Sequence, residues 1–258
     1  MISVQQVSFL VKNRILVNNV SLAIAPGEFV VVMGANGAGK STLLKMMSGA
    51  IQPVSGKICY HDKEISQYTT EILARKRAVL SQQYHISFPM TVREIVMMGR
   101  YPYFLSHPSV ADEQIVNEVM EKMQVMALAY RNYQTLSGGE AQKIQMCRVL
   151  AQIGNASVED PKCLLLDEPV SHLDIKYQHQ LLKEAGECCK QHVAVFAVLH
   201  DINLALKYAD RILFMKEGTI VKAVSRNEIL TKDLLQEVFD VDVNIFPIPE
   251  GQGVFVSF

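Results

Sequence analysis

Phe29, Val30, Val31, Val32 and Met33, running straight into Gly34, Ala35, Asn36, Gly37, Ala38, Gly39, Lys40 and Ser41, constrain this chain more than any other stretch. Apolar residues in an unbroken short run, without alternation, read as a strand buried on both faces of a parallel sheet. The eight residues that follow fit G-x-x-x-x-G-K-[ST], a loop that wraps phosphate oxygens. Glycines let such a loop aim its backbone N–H groups inward. Residues 42–47, opening on Thr42, have helical composition, and a helix there brings the positive end of its dipole to the same spot. Lys40 is then placed to reach the outer phosphates, and the Ser41 hydroxyl to ligate Mg²⁺.

Two later runs, 163–166 and 193–199, share the apolar character of that strand, with a helical stretch at 177–190 between them. Strands alternating with helices imply right-handed crossovers and an α/β fold with a parallel sheet. The segment before Phe29 alternates instead and carries turn residues at Lys12, Asn13, Pro26 and Gly27, so it reads as additional strands. Residues 91–153 offer no strand candidate. Thr91 and Glu94 make a capping box, and Ile115, Val116, Val119, Met120 and Met123 recur at helical spacing. A helical insert over about 84–153 is expected. Beyond Asp210, residues 211–215 and 219–223 flank Lys216, Glu217 and Gly218 as a hairpin, and Ser225 with Glu228 is expected to open a short helix. Residues 241–258, with a turn at Pro249, Glu250 and Gly251, read as a terminal hairpin. The whole of 1–258 is read as one domain.

Composition removes several classes. With 25 Lys and Arg against 26 Asp and Glu, the formal charge is -1, so the basic excess of a nucleic-acid binder is missing and no such partner is expected. Hydrophobic residues make up 49% of the chain, which excludes a disordered one. The longest uninterrupted apolar run, 193–199, is far short of the roughly 20 residues a membrane span needs, and the N-terminus does not read as a signal peptide. The cysteines, Cys59, Cys147, Cys163, Cys188 and Cys189, are odd in number and irregularly spaced, which favours free thiols in a reducing compartment. Cys188 and Cys189 with His192 lack the matched spacing of a zinc site.

Two further motifs carry chemistry. Cys163 to Leu166 ends on Asp167 and Glu168: Asp167 is placed to hold a magnesium shell, and Glu168 to orient and deprotonate an attacking water. Leu136, Ser137, Gly138, Gly139 and Glu140 form the second. Ser137 and Glu140 make a capping box, the glycines leave N–H groups open to an anion, and Ile144, Cys147 and Leu150 continue on one helical face.

Taken together, the three motifs resemble those of the ATP-binding-cassette ATPases, over essentially the whole chain. The resemblance implies a P-loop NTPase, RecA-like parallel-sheet core with an N-terminal antiparallel β subdomain and a helical insert subdomain. It implies ATP and Mg²⁺ as cofactors. Residues Gly34 to Thr42 would bind ATP, and Ser41, Gln82 and Asp167 would hold the magnesium. Glu168 would be the general base, with Gln82 and His200 sensing the γ-phosphate. It also implies a head-to-tail homodimer, in which Ser137, Gly138, Gly139 and Glu140 complete the partner's site while Ser171 and Asp174 cross the interface. The aromatic that stacks on adenine in this family has no direct match: counting back from the loop lands on Val11, with Phe9 close by, and either could serve.

Residues 87–92, the lengthened link 154–160 and the tail at 241–244 resemble the haem-importer ATPases in particular. The segment 91–103, with Gly99 and Arg100, is shared with importers of iron chelates and cobalamin, so ferric-siderophore or cobalamin import is the alternative. The alternative from another class is a soluble cassette ATPase of repair or translation, but the long insertions or second cassette of those proteins are missing. The resemblance implies two copies of an integral-membrane permease as partners, a periplasmic haem-binding protein acting indirectly, and a peripheral position on the cytoplasmic face of the inner membrane. Tyr84, Phe88, Met90, Tyr101, Tyr103 and Phe104 are expected to form the docking face for the permease, because aromatics and Met are enriched at interfaces.

Overall fold

The computed structural model describes residues 2–81, 86–171, 173–248 and 253–258. Strands Ile2–Val11 (β1) and Arg14–Ile24 (β2) pair antiparallel around Lys12 and Asn13, whose φ angles are 46° and 66°. Two consecutive positive φ values are what a two-residue hairpin loop demands. Phe29–Met33 (β3) follows, then Lys40–Met47 (α1), Ser55–Tyr60 (β4), Lys63–Glu64 (β5), Thr70–Lys76 (α2) and Arg77–Leu80 (β6). The stretch from there to Cys163–Asp167 holds three α-helices among the described residues: Val92–Met97 (α3), Val110–Lys122 (α4) and Gly138–Ile153 (α5). Cys163–Asp167 is β7, followed by Ile175–Cys189 (α6), Ala194–Val198 (β8), Ile202–Tyr208 (α7), Arg211–Lys216 (β9) and Thr219–Ser225 (β10). Lys232–Phe239 (α8), Asn244–Pro247 (β11) and Val254–Ser257 (β12) complete the chain.

The main sheet has the order β10-β9-β3-β8-β7-β6, parallel throughout except for the antiparallel β9–β10 hairpin. Alternation within β3 explains its unbroken apolar run. Phe29, Val31 and Met33 join the core under α3 to α7, while Val30 and Val32 join the core against α1 and the N-terminal sheet. That second sheet is antiparallel, in the order β2-β1-β4-β5. The terminal hairpin forms with Asn244 opposite Ser257, and its expected turn at Pro249 to Gly251 lies outside the described residues.

One expected element is displaced. Ser225 and Glu228 do not open a helix; the Ser225 N–H donates to Glu228 Oε2 at 2.6 Å and the Glu228 N–H to Ser225 O at 2.8 Å, closing a turn. The chain then drops Leu230 into the core, 6% exposed, and the helix starts only at Lys232, capped by Thr231. Seating Leu230 before Leu235 and Val238 takes precedence over the local capping pattern.

Candidate functional site

The loop after β3 can exist only with glycines at its two ends. A Cβ on Gly34 would stand 2.0 Å from the Met215 carbonyl oxygen of β9, and one on Gly39 2.3 Å from the Leu16 oxygen of β2. The neighbouring strands thus press backbone against backbone around the loop. Lys40 Nζ, at the start of α1, donates to the oxygens of Gly34 at 2.7 Å and Ala35 at 3.0 Å. Its burial lowers its pKa, with Glu168 and Asp167 pulling the other way. Beside the loop runs a cleft of about 250 Å³ that takes in Asn36, Gly37, Lys40, Ser41, Thr42 and Glu168.

β7 delivers the carboxylates. Ser41 Oγ donates to Asp167 Oδ1 at 2.9 Å, so the loop serine and the strand-end aspartate meet as the sequence predicts. Burial raises the Asp167 pKa; the Ser41 hydrogen bond opposes that rise and the Glu168 charge adds to it. Glu168 adopts φ 52°, a left-handed conformation that is costly for a side-chain-bearing residue and recurs at functional sites. Its Oε1 is 2.8 Å from His200 Nε2, which follows β8. Burial pushes the Glu168 pKa up, but the His200 hydrogen bond and charge, the Ser171 hydroxyl and Lys40 together bring it below the ordinary value. Ser171 Oγ donates to Glu168 O at 3.1 Å and Oε2 at 3.3 Å. Asp174 caps α6 by accepting from the Tyr177 N–H at 3.1 Å.

Gln142 escaped the sequence reading. From α5 its Nε2 reaches the Glu168 oxygen at 3.4 Å and the Pro169 oxygen at 2.5 Å, tying the helix that begins at Ser137 to the turn that carries Glu168. Its position one turn into that helix was the signal available. Arg14 and Leu16 also escaped; both line the cleft from β2. Gln82 lies outside the described residues.

Ser137 caps α5 through Glu140, whose carboxylate takes both the Ser137 N–H at 2.8 Å and its hydroxyl at 2.9 Å. Ser137 and Gly138 are exposed, and a Cβ on Gly138 would meet nothing within 4 Å. No hydrogen bond among the described residues joins this cap to the 34–42 loop of the same chain.

The aromatic segment before α4 divides. Phe88 is 74% exposed, Tyr101 52% and Leu105 fully exposed. Met90 packs on the core, and Tyr103 is held by the Arg100 guanidinium 3.9 Å from its ring centre. Among the described residues, no helix is long and apolar enough to cross a membrane.

The model of the ABC transporter family matches residues 17–171. The hemin import ATP-binding protein HmuV of Hahella chejuensis (strain KCTC 2396) is 41% identical over 263 aligned residues, which cover 99% of each chain. A metal-chelate type ABC transporter solved in an inward-facing conformation superposes with a TM-score of 0.81 at 25% identity, covering 99% of this chain and 95% of that one. A bacterial ABC transporter cassette solved as a dimer gives 0.75 at 26% identity, over 89% of this chain and 100% of that one. With phosphate loop, carboxylate strand and capped glycine pair in one fold, this chain belongs to the ABC transporter family as an ATP-binding cassette.

Proposed function

We propose that this chain is the ATP-hydrolysing energy subunit of a haem importer, acting as a head-to-tail homodimer beneath a membrane permease. The observation that carries the reading is the convergence of Ser41 with Asp167 and of Glu168 with His200 beside one loop. It occurs in a chain 41% identical, end to end, to a hemin import ATP-binding protein. In this reading residues Gly34 to Thr42 wrap the phosphates. Glu168 takes a proton from the attacking water, and His200 fixes that carboxylate and faces the γ-phosphate. Ser41 and Asp167 offer hard oxygen donors of the kind Mg²⁺ takes, so they would hold it, together with Gln82. Bound there, the cation would neutralise phosphate charge.

The exposure of Ser137 and Gly138 supports their use in trans with Gly139 and Glu140, on the nucleotide held by the partner copy. Ser171 and Asp174 lie on the turn after Glu168, where the two copies would meet. Two permease subunits would receive the stroke, a periplasmic haem-binding protein would deliver cargo to them, and this chain would sit on the cytoplasmic face of the inner membrane, where ATP is available. Import of another metal chelate, such as a ferric siderophore, is the second reading, favoured by the metal-chelate type transporter; its 25% identity ranks it behind haem.

Growth under iron starvation tests the cargo. A strain lacking this subunit is expected to fail with haem as sole iron source and to grow normally on ferric siderophores. The reverse pattern moves the assignment to the second reading.

A further inference from the structure

The catalytic groups fix where the terminal phosphate goes in the cleft, and this leaves one wall for the nucleoside. That wall is built by Arg14 and Leu16 of β2. Arg14 Nη2 comes within 4.0 Å of the point where a Cβ on Gly37 would stand, so the guanidinium lies directly against the middle of the loop. Its side chain makes no hydrogen bond or ion pair with any described residue. A cation so placed, with no partner among the described residues, is available to a ligand.

Of the two residues that first suggest themselves for the base, Phe9 is turned elsewhere and Val11 offers only an aliphatic side chain. Phe9 pairs across the strands with Val17, which is fully buried, and Phe9 packs on the same apolar cluster. Val11 is the direct cross-strand partner of Arg14, the two flanking the Lys12–Asn13 turn. Directly opposed residues of an antiparallel pair point to one face. Leu16 is the extra residue of a β-bulge, since Leu10 pairs with Ile15 and Phe9 with Val17, and it lines the same cleft as Arg14. No aromatic residue lines the cleft among the described residues.

We propose that Arg14 is the base-contacting residue of this cassette, its planar guanidinium lying over the purine. The proposal rests on the reading of the 34–42 loop as the ATP site. A guanidinium plane stacks on aromatic faces as an ammonium cannot. Its apolar neighbours Val11 and Leu16 suit the flat face of a ring, whereas the phosphates already have Lys40, the loop N–H groups and the start of α1. Stacking is tolerant of base identity, because every base has a π-face, so GTP should bind within a few-fold of ATP.

The test is calorimetric titration of the full chain with ATP and, separately, with inorganic tripolyphosphate. Arg14→Ala is expected to weaken ATP about tenfold, the size of one lost stack, while tripolyphosphate affinity stays within about twofold. Arg14→Tyr is expected to restore ATP binding and Arg14→Lys to leave it impaired. Unchanged ATP affinity in Arg14→Ala overturns the proposal. So does an equal loss toward tripolyphosphate with rescue by lysine, which would make Arg14 a phosphate contact. If the parent chain itself binds neither ligand, the loop assignment fails instead, and the two failures are distinguishable.

Discussion

His200 Nε2 lies 2.8 Å from Glu168 Oε1, so the residues that follow two adjacent parallel strands, β7 and β8, meet above the sheet edge. Glu168 is held from other sides too, by Ser171 through its hydroxyl and by Gln142 through the backbone. A carboxylate so constrained is suited to taking a proton from one position. Glu168→Gln keeps the shape and removes the basicity. ATP binding should persist while hydrolysis falls by a factor on the order of 10²–10⁴, the usual worth of a general base. A radiolabelled-phosphate release assay checks this, and turnover near the parental rate would remove Glu168 from the role.

Ser137 faces outward in its own chain, which leads to a mixing experiment. Lys40→Ala damages the loop and Ser137→Arg damages the cap, so either variant alone has every composite site impaired. A dimer with one subunit of each contains one site made entirely of intact parts. Size-exclusion chromatography with ATP should therefore show dimer in the mixture and not in either variant alone. A mixture that behaves as the average of two defective proteins would end the head-to-tail arrangement.

How much of this was legible in the sequence depends on range. The loop from Gly34 to Ser41, the cap at Ser137 with Glu140 and the strand ending in Asp167 are local patterns, and their local geometry followed from residue order. Gly99 and Arg100 could be recognised only as part of a resemblance, because their reasons are tertiary. A Cβ on Gly99 would stand 2.1 Å from the Arg148 oxygen of α5. Arg100, 2% exposed, donates to Asp112 Oδ1 at 2.9 Å and to the Ala151 oxygen at 2.7 Å, pinning α4 and α5 together. Arg14 was invisible for the same reason: it reaches the loop only because the hairpin folds back beside it. Ser225 misled because a capping pattern holds only where the chain beyond it is free to coil, and Leu230 is not.

Lys162, just before β7, is 3% exposed, and its Nζ donates to the Tyr103 hydroxyl at 2.8 Å. Burial lowers its pKa to about 8; Asp160 opposes this, but it is paired with Lys76, and the Arg100 and Lys76 charges add to the lowering. The unfolded chain keeps that proton up to the ordinary value of 10.5, so between about 8 and 10.5 the unfolded state binds more protons than the folded one. Stability from this site therefore rises with pH across that window and is penalised below it. Relative to Lys162→Met, the parent should gain about 1–3 kcal/mol between pH 7 and pH 10 in urea unfolding. A pH-independent difference would mean that Lys162 is solvated in solution.

Tyr101 and Tyr103 sit two residues apart and have opposite roles. The Tyr103 hydroxyl donates to the Gln152 oxygen at 2.7 Å and accepts from Lys162, while its ring lies under Arg100. It is a strut between the segment 98–105 and α5. Tyr101 instead projects outward, half exposed, with Phe104 edge-on at 5.7 Å between ring centres, and Phe88 and Leu105 are exposed as well. Of the residues expected to form the docking face, Phe88 and Tyr101 are exposed, Tyr103 lies beneath as support and Tyr84 lies outside the described residues; we propose that the permease meets Phe88 and Tyr101 together with the neighbouring Leu105. Tyr103→Asp loses the ring contacts and leaves buried polar groups unpaired, so it should cost more than about 2 kcal/mol in stability. Tyr101→Asp gives up one exposed aromatic pair and should cost under about 1.5 kcal/mol. The free Tyr101→Asp subunit should keep parental ATPase activity, because nothing in the Glu168 site is touched. On the proposal that this face meets the permease, the same change would put a charge into the interface core, where charged residues are depleted, and cargo uptake into proteoliposomes should be lost. Thermal melting and ATPase assays on the free chain, followed by uptake assays on the reconstituted complex, separate the two tyrosines. Normal uptake by Tyr101→Asp would place the permease on another face.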